Sequence, residues 1–499
     1  MYKIKFEKNQ KHRLKLVCED RIVLDYIRQQ FSVPNPSFRF QPHASKDITP
    51  ISLLWTFPDG LALDIIKSLK NKFGNNIEID ITDVKDIIRP FSYTPEKIIQ
   101  PENPEIVYRD YQEYGIRLGL KYGRGLYHWA TASGKSASMY GLIKNIWHNQ
   151  GFKSKVLITV PRTQLVHQLA SDFINYGCAP EEITKFTSNS DYDLSRNIII
   201  SNMQFLNSRI DELNTNDIKI LIIDEVHSQG VRNEGFKLHK KITTNVKYGF
   251  SGTIPTTELE KYWNIVGLCG MILSEKKSAE LQDEGYIAKS KFISIKFQHT
   301  VSQPQPAEII EDKFLYAKAL YPLELNYIEN CEYTNTFICK LLFNLKNNSI
   351  ILFDHIEHGH ALHTIMNKLN ENGSKEVFYI DGSIDVGYRE YIRGKLEEIN
   401  NGILLANTAC FSVGINIKNI HNIGFAFSSG KSATKIMQSI GRGLRIHENK
   451  ENLLLIDFHH NYIYSTKHFI QRLKLYKENY NINSIKTNVV GVRPDLLCI

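Results

Sequence analysis

One stretch of the sequence indicates how the chain folds: Trp129-Ala-Thr-Ala-Ser-Gly-Lys-Ser136. It follows a short apolar stretch and precedes the helical pattern of residues 137–147. A phosphate-binding loop needs this setting, because backbone N–H groups and a helix N-terminus must converge on the phosphate while the lysine reaches the β/γ oxygens. The full loop pattern has glycine where Trp129 stands, so the match is incomplete. The tripeptide also recurs at Gly430-Lys431-Ser432, and a second signal must decide between the two copies.

The second signal is an apolar strand that ends in two acidic residues: Leu221-Ile-Ile-Asp-Glu-Val-His227. A strand end of this kind delivers Asp224 to a Mg²⁺ ion held jointly with Ser136, and it leaves Glu225 to orient and deprotonate the attacking water. The alternative is a charged strand end with a capping role. No acidic strand end follows the copy at Gly430 at a comparable distance, so we predict a surface turn there.

Short β-branched or apolar runs alternate with longer amphipathic stretches, which favours parallel sheets with crossover helices. The first series comprises Lys155–Val160, Asn197–Ile200 and Lys219–Ile223, and the second comprises Ser349–Phe353, Glu376–Ile380, Gly402–Ala406, Asn422–Phe427 and Leu453–Ile456. The chain is therefore predicted to contain two successive α/β domains. Four prolines between residues 90 and 104 indicate a linker before them, and the polar segment 297–306 indicates an exposed connection on the second domain.

The composition is that of an ordinary globular protein, with 499 residues, 42% hydrophobic and 23% charged. Collagen, mucin and long disordered tracts are excluded, and the length suggests about three domains. The seven cysteines form no CxxC pair, which indicates a reduced protein without a zinc ribbon or disulfide framework. No apolar run reaches the ~18 residues of a membrane span. We therefore expect a soluble, cytoplasmic protein, located in the host cytoplasm if a phage encodes it.

The net charge of +8 is concentrated at both ends of the chain. The first 40 residues hold nine basic and four acidic side chains, and the stretch from Lys467 onward holds six basic and two acidic ones. Either end can contact a polyanion. Solvated faces of ordinary surface elements explain each end, taken alone, equally well.

Taken together, the loop and the Asp-Glu-x-His stretch resemble those of superfamily 2 helicases, and the resemblance covers about residues 105–460. It implies an α/β fold with two RecA-like parallel-sheet domains in tandem, preceded by a small α+β domain. It also implies ATP and Mg²⁺ as cofactors and DNA as the partner. The predicted segments are a duplex-binding domain at 1–95, the RecA-like domains at 96–280 and 281–465, and a basic tail at 466–499.

The resemblance extends to the nucleotide contacts. Arg109-Asp-Tyr-Gln112 resembles the adenine-reading segment, because a glutamine amide can both donate to and accept from the adenine edge; the alternative is a polar helix start. Asn416 stands where the family usually has aspartate. The implied ATP-binding residues are Arg109, Gln112, Thr131, Ala132, Ser133, Gly134, Lys135, Ser136, Gly414 and Asn416, with Ser136 and Asp224 as the Mg²⁺ ligands.

The stretch Gln438-Ser-Ile-Gly-Arg-Gly-Leu-Arg445 resembles the Gln-x-x-Gly-Arg-x-x-Arg motif. On a helix, Arg442 and Arg445 project to one side, where guanidinium groups suit the spread charge of phosphoryl transfer; the alternative is an exposed basic helix face. Ser251-Gly-Thr253 resembles the Ser-Ala-Thr motif, so Ser251 and Thr253 are implied to couple hydrolysis to movement. The implied catalytic residues are Lys135, Asp224, Glu225, His227, Gln438, Arg442 and Arg445.

Hydroxyl, amide and arginine donors at strand ends suit the phosphate oxygens of a nucleic-acid strand. Pro161-Arg-Thr163 and Ser201-Asn-Met-Gln204 occupy the places of such contacts in the family, and Ala406-Asn-Thr408 resembles a segment that contacts both nucleic acid and nucleotide. The implied DNA contacts are Pro161, Arg162, Thr163, Asn202, Gln204, His355 and Thr408.

Within the superfamily, the likeness is to phage helicases of recombination and branch migration, carried by Ser412–Asn419 and by a small domain before the motor with Phe38-Arg-Phe40 and Pro58–Asp64. An aromatic, glycine-rich turn of that domain is replaced here by His43–Lys46. The leading hypothesis is an ATP-dependent DNA helicase or translocase that remodels forks and Holliday junctions. The alternatives are an RNA helicase or other nucleic-acid-stimulated ATPase, a restriction-type translocase, and a non-hydrolysing duplex-binding scaffold.

Overall fold

The computed structural model describes residues 1–499 except 36–37, 39–44, 189, 230–232, 257, 308–309, 415–416, 427–432, 449, 451, 481, 483–484 and 493–499. The predicted surface turn at Gly430 and the predicted nucleotide contact Asn416 lie outside the described residues, as do most of residues 38–44. The chain divides into two compact units, Met1–Ala130 with Gly134–Lys276, and Thr131–Ser133 with Lys277–Ile499.

The first unit begins with a four-stranded sheet in the order β5-β2-β1-β6, in which β2 is antiparallel to both neighbours and β1 is parallel to β6. Along β1 apolar and charged residues alternate, so Ile4 and Phe6 are buried under the helices while the lysines face water. The elements are β1 (Tyr2–Gln10), β2 (Arg13–Val17), α1 (Arg21–Gln30), β3 (Val33–Pro34), β4 (Asp47–Ile48), β5 (Thr56–Pro58), α2 (Ala62–Phe73), β6 (Ile77–Asp80) and α3 (Lys85–Ile88).

The rest of the first unit is a seven-stranded, all-parallel sheet in the order β13-β7-β12-β11-β8-β10-β9. Its central strands β8 and β11 are mostly apolar and buried, as is typical of a parallel sheet whose two faces are covered by helices. The elements are α4 (Asp110–Tyr122), β7 (Arg124–Trp129), α5 (Lys135–Gln150), β8 (Lys155–Val160), α6 (Thr163–Asn175), β9 (Ile183–Phe186), β10 (Ile198–Asn202), α7 (Met203–Arg209), β11 (Ile218–Asp224), α8 (Val226–Gln229), α9 (Asn233–Lys241), β12 (Lys247–Ser251), α10 (Leu259–Cys269) and β13 (Ile272–Lys276).

The amino-terminal domain shares a hydrophobic core with this sheet. Phe57 and Leu61 are buried in one cluster with Trp263 and Ile265 of α10. The two backbones approach closely at Gly60, where an added Cβ atom would stand 2.1 Å from the carbonyl oxygen of Val266. Only glycine fits such an approach, so residues 1–95 are seated on α10 by shape as well as by apolar contact.

The second unit contains another seven-stranded, all-parallel sheet, in the order β16-β17-β15-β18-β19-β14-β20. Two such sheets in tandem after a small α+β domain confirm the predicted fold class. The elements are α11 (Ser278–Asp283), β14 (Lys289–His299), α12 (Lys313–Glu329), α13 (Glu332–Asn344), β15 (Ser349–Phe353), α14 (Ile356–Leu369), β16 (Glu376–Ile380), α15 (Val386–Glu398), β17 (Gly402–Asn407), α16 (Thr408–Gly414), β18 (Asn422–Phe425), α17 (Ala433–Gly443), β19 (Asn452–His460), α18 (Ile463–Tyr480) and β20 (Lys486–Val492).

Two predictions about connecting segments were wrong. The segment 297–306 is not wholly an exposed connection, since Phe297 and His299 are the buried end of β14. The segment 466–499, predicted as a basic tail, contains most of α18 and all of β20, and β20 pairs with β14 in the second sheet. Arg472, counted among the basic residues of that tail, is fully buried because it donates two hydrogen bonds to Asp457, at 2.7 and 2.8 Å. Arg472, paired with Asp457, is therefore part of the core of the second unit and not a basic surface residue.

Among the described residues, no helix is long and apolar enough to cross a membrane. The cytoplasmic location remains a prediction.

Candidate nucleotide and nucleic-acid site

The candidate phosphate loop connects the carboxyl end of β7 to the first turn of α5. Two of its residues, Ala132 and Gly134, have left-handed backbones with φ of 66° and 74°, which suits a concave array of N–H groups that can hold an anion. The positive φ of Gly134 favours glycine there, and an added Cβ atom would also stand 2.3 Å from Nε2 of Gln112. Nζ of Lys135 lies 3.4 Å from the carbonyl oxygen of Trp129, at the edge of this loop.

The acidic pair stands at the carboxyl end of β11, between β12 and β8 in the sheet. Asp224 is half-buried, and its Oδ1 accepts a hydrogen bond of 3.0 Å from the backbone N–H of Glu225, which adopts a left-handed φ of 47°. Burial, reinforced by the Glu225 carboxylate, raises the pKa of Asp224, while Lys135 opposes that shift. The structure therefore brings the lysine of the loop into electrostatic contact with the acidic strand end.

The hydroxyl of Ser136 and the carboxylate of Asp224 are oxygen donors of the kind that Mg²⁺ prefers. The pKa of Asp224 is raised beside a second carboxylate despite the charge of Lys135, so a divalent cation bound there would stabilise the charged form of Asp224. Within the described part of the chain, no group of three or more His, Cys, Asp or Glu side chains can hold a metal ion by itself. Two protein ligands fit Mg²⁺ bound with a nucleotide, since that ion takes its other ligands from phosphate and water.

Two residues of this region gave no signal in the sequence. The hydroxyl of Tyr176, at the end of α6, lies 2.8 Å from the Ser136 hydroxyl although the two residues are 40 positions apart. Nε2 of Gln229 donates to the carbonyl oxygens of Asp224 and Thr159, the latter at 3.1 Å, and so fixes the turn that follows β11. Tyr176 and Gln229 belong to no motif of the sequence, so only the folded chain shows their contacts.

Gln112, the predicted adenine reader, begins α4 and is buried. Its Oε1 accepts a hydrogen bond of 2.9 Å from the backbone N–H of Arg109, as in a capping box, and its Nε2 donates to the carbonyl oxygen of Gly134 at 3.3 Å. The segment is thus a polar helix start that also braces the phosphate loop. Its contact with adenine remains a prediction.

Close polar contacts at one nitrogen of His227 connect Glu225 of the acidic pair to the end of β12. Nδ1 of His227 lies 3.3 Å from Oε2 of Glu225 and 2.7 Å from Oγ of Ser251. Oγ of Ser251 in turn accepts a hydrogen bond of 3.0 Å from the backbone N–H of Thr253. The predicted catalytic base and the two predicted coupling residues are therefore joined through one imidazole ring.

The predicted strand contacts at 161–163 and 202–204 meet at the carboxyl ends of the adjacent strands β8 and β10. Nδ2 of Asn202 donates to the hydroxyl of Thr163 at 2.9 Å, while its Oδ1 caps α7. The side chains of Arg162 and Gln204 are exposed at this edge. Polar donors at one edge of the sheet can follow a single phosphate backbone.

In the second unit, the arginine motif lies on and just after α17. Gln438 is half-buried, and Arg442 is mostly buried in the last turn of the helix. The expectation that Arg445 also projects from this helix was wrong, because α17 ends at Gly443. The backbone N–H of Arg445 lies 3.4 Å from the carbonyl oxygen of Arg442, so the two residues are close but their directions are set by a turn.

The remaining predicted contacts of the second unit differ in exposure. His355 is the exposed N-cap residue of α14, and its Nδ1 lies 2.8 Å from Oε1 of Glu329. Thr408 is buried, and its hydroxyl donates to the carbonyl oxygen of Phe353 at 3.0 Å. Gly414 ends α16. His355 is thus available to a nucleic acid, while the Thr408 hydroxyl is used inside the domain.

These features define a class of enzyme: a phosphate loop and an acidic strand end on one parallel sheet, and a second such sheet carrying an arginine motif. The chain is similar over most of its length to ATP-dependent helicases, which supports an ATP-hydrolysing, nucleic-acid-dependent helicase. Residues 105–256 match the family described as "Type III restriction enzyme, res subunit".

Particular relatives support this assignment. The chain is 25% identical over 454 residues to ATP-dependent DNA helicase uvsW of Enterobacteria phage T4, which covers 88% of this chain and 86% of that protein. It is 26% identical over 391 residues to the putative ATP-dependent helicase IRC3 of Saccharomyces cerevisiae, covering 72% and 53% of the two chains. The fold is shared with a fragment of a putative HsdR subunit of a type I restriction enzyme from Vibrio vulnificus YJ016, at a TM-score of 0.56, 17% identity, and coverage of 86% and 74%.

Proposed function

We propose that the chain is an ATP-driven DNA helicase or translocase that remodels branched DNA, such as forks and Holliday junctions, in replication, recombination or repair. The observation that carries the motor part is the chain Glu225–His227–Ser251, because it joins the residues for hydrolysis to the end of a neighbouring strand. The preference for DNA draws on the similarity to a protein named as an ATP-dependent DNA helicase. The branched form of the substrate rests on the resemblance to recombination helicases.

In this proposal each residue has a chemical task. The ammonium of Lys135 meets the phosphate oxygens of ATP above the N–H groups of the loop. The Glu225 carboxylate orients the attacking water and takes its proton, while Arg442 and Arg445 stabilise the charge that spreads over the transferred phosphoryl group. Ser136 and Asp224 would hold the Mg²⁺ ion, which supplies further neutralisation of phosphate charge when bound.

Hydrolysis changes the surroundings of Glu225, and His227 passes that change to Ser251 through the two contacts it makes. The residues after Ser251 and the donors at Thr163 and Asn202 follow strands of the same sheet. We propose that this arrangement alters the grip on one strand in each cycle of ATP binding and release. The amino-terminal domain, seated on α10, would hold the duplex.

The test is the steady-state ATPase rate of the wild type and of Glu225→Gln without nucleic acid and with single-stranded DNA, duplex DNA, synthetic forks and single-stranded RNA. We expect forked DNA to stimulate hydrolysis most. Loss of the catalytic base should lower kcat by about 10²–10⁴-fold. The control is Glu181→Gln, the same change at an exposed position of the same domain, which should leave kcat unchanged.

The outcomes separate the alternatives. Equal or greater stimulation by RNA would contradict the assignment of DNA as the substrate. Absence of hydrolysis under every condition would leave only the duplex-binding scaffold. If forks still stimulate hydrolysis in Glu225→Gln, the catalytic base is a residue other than Glu225.

A further inference from the structure

The turn that follows α17 sets the direction of Arg445. Because α17 ends at Gly443, the last turn of the helix holds Arg442, whereas Arg445 lies two residues beyond the helix. The last carbonyl groups of a helix have no partner within it, and the helix end frays unless other groups bond to them. The direction of Arg445 therefore depends on the groups that hold the carbonyls of residues 443 and 444.

Two donors from outside α17 hold these carbonyls. Nζ of Lys450 donates to the carbonyl oxygen of Gly443 at 2.8 Å, and the backbone N–H of Ala288 donates to that of Leu444, also at 2.8 Å. A lysine ammonium at the carboxyl end of a helix also complements the partial negative charge there. Of the two donors, Lys450 is the one that acts through a side chain and can be removed by substitution.

The same ammonium group also reaches the segment 412–419. Nζ of Lys450 donates to the carbonyl oxygen of Lys418 at 2.6 Å. The backbone N–H of Lys418 donates to Oε1 of Glu397 at 2.7 Å, so the peptide groups on both sides of Lys418 are held. Lys450 therefore joins the end of the segment 412–419 to the turn that precedes Arg445.

Stability alone does not explain a lysine at position 450. Lys450 is 6% exposed. Burial lowers its pKa to about 8, Glu397 opposes this shift, and the charge of Arg445 adds to it. Burying a cation is costly, and replacing buried charged groups by apolar ones is often neutral for stability. Since Lys450 and Arg445 carry like charges, Lys450 also repels the guanidinium group from the two carbonyls that it occupies.

We propose that Lys450 is a positioning residue for Arg445. It fixes the turn after α17 and keeps the arginine away from the nearby carbonyl oxygens, so that the guanidinium group stays available to the transferred phosphoryl group. Lys450 itself needs no contact with the nucleotide. This inference rests on the proposed function, because that function assigns Arg445 to the stabilisation of charge during hydrolysis.

A double-variant cycle on the full-length chain tests the proposal. It compares the wild type with Lys450→Met, Arg445→Gln and the double variant, and it measures kcat and the KM for ATP of the DNA-stimulated ATPase together with the Tm of each protein. The control is Lys375→Met. Nζ of Lys375 donates at 2.8 Å to the carbonyl oxygen of Leu345, the residue after α13, so the control removes the same kind of contact from another helix end of the same unit.

We expect Lys450→Met to lower kcat by about 10²-fold, the effect of displacing a group that acts in the transition state by about 1 Å. The KM for ATP should not change, because the lost interaction is made only in the transition state. Lys375→Met should leave both constants unchanged. Because Lys450 acts through Arg445, the kcat of the double variant should lie within about twofold of that of Arg445→Gln.

The outcomes separate this inference from the proposed function. Losses that multiply in the double variant, or a kcat of Lys450→Met equal to that of the wild type, would overturn the positioning role and leave the proposed function standing. An unchanged kcat in Arg445→Gln would reject the role that the proposed function gives to this arginine, and the inference with it. If the Tm shows that Lys450→Met does not fold, Lys450→Gln, which keeps an N–H donor, takes its place in the same cycle.

Discussion

The two seven-stranded sheets have the same parallel architecture and differ in what stands at the carboxyl ends of their strands. In the first sheet, β11 ends in the carboxylates of Asp224 and Glu225 beside Lys135. In the second, β17 ends in Asn407 and Thr408, whose side chains donate to the carbonyl oxygens of Asp354 and Phe353 at 2.8 and 3.0 Å. The first sheet thus carries charged side chains at this edge, whereas the neutral side chains of the second sheet form hydrogen bonds within their own domain.

This difference shows that the scaffold does not determine the chemistry. A parallel sheet brings strand ends to one edge whatever residues they carry, and the side chains at that edge decide whether it binds a nucleotide. In the second unit, Arg442, the arginine proposed to act in hydrolysis, lies on a helix instead. The following experiments test how far this division of tasks holds, beginning with the largest expected effect.

The strongest test removes the cation that the second unit contributes. We expect Arg442→Gln to lower the kcat of the DNA-stimulated ATPase by about 10³–10⁵-fold, because an arginine on the transferred phosphoryl group typically contributes that much. Arg393→Gln is the control, since Arg393 is a surface residue paired with Glu390 on α15. A loss of less than tenfold would mean that the second unit does not take part in hydrolysis.

The second test concerns a charge that the second unit uses for stability only. Arg472→Met leaves Asp457 buried with one hydrogen bond, that from Tyr476 at 2.7 Å. We expect this change to lower the free energy of unfolding by about 3–5 kcal/mol, measured by urea denaturation. The double variant with Asp457→Leu should recover most of the loss, because no charge then remains buried. A double variant as unstable as the single one would contradict this explanation.

The third test asks whether the imidazole in the first sheet transmits hydrolysis. In His227→Ala the 2.7 Å contact with Ser251 is lost. We expect the ATPase rate to fall less than tenfold and the number of base pairs unwound per ATP to fall much further. Ser251→Ala should have a similar effect, and the double variant should be no worse than either single one, since both remove the same contact. Additive losses would show that the two residues act separately.

The smallest effect compares two buried lysines, Lys247 of the first unit and Lys450 of the second. Burial lowers the pKa of both Lys247 and Lys450 to about 8, from an ordinary value of 10.5. The unfolded chain therefore binds more protons between these values, so each lysine makes stability rise with pH from about 8 to 10.5. Lys247→Met and Lys450→Met should each flatten the rise in Tm over this range, and Lys70→Met should not. An unchanged slope would show that folding does not lower the pKa of that lysine.

Much of the fold follows from the sequence because strand ends and apolar runs are local signals. Lys155–Val160, Ser349–Phe353 and Glu376–Ile380 are strands with the predicted bounds. The loop around Lys135 and the acidic strand end at Asp224 were recognisable because the residues of each motif are contiguous in the sequence. Their proximity in the structure follows from the parallel order of the strands.

Contacts between distant residues were not predictable. Arg472 looks like any surface arginine until Asp457 is placed beside it, and the pair of Asp59 and Arg124 joins residues 65 positions apart. Tyr176 reaches Ser136 only because α6 ends beside α5. In each case the partner is fixed by packing between elements, and no periodicity or spacing in the sequence records it.

The close approach at Gly60 has a consequence for how this chain can be divided. Any side chain at Gly60 would collide with the carbonyl oxygens of residues 266 and 267. The surface of the amino-terminal domain is therefore closely complementary to that of α10. Deleting residues 1–95 would expose the apolar face of α10 and leave Arg124 without its carboxylate. The amino-terminal domain is thus not a removable module. A chimera that takes this domain from a related protein would also have to take the surface of α10 against which it packs.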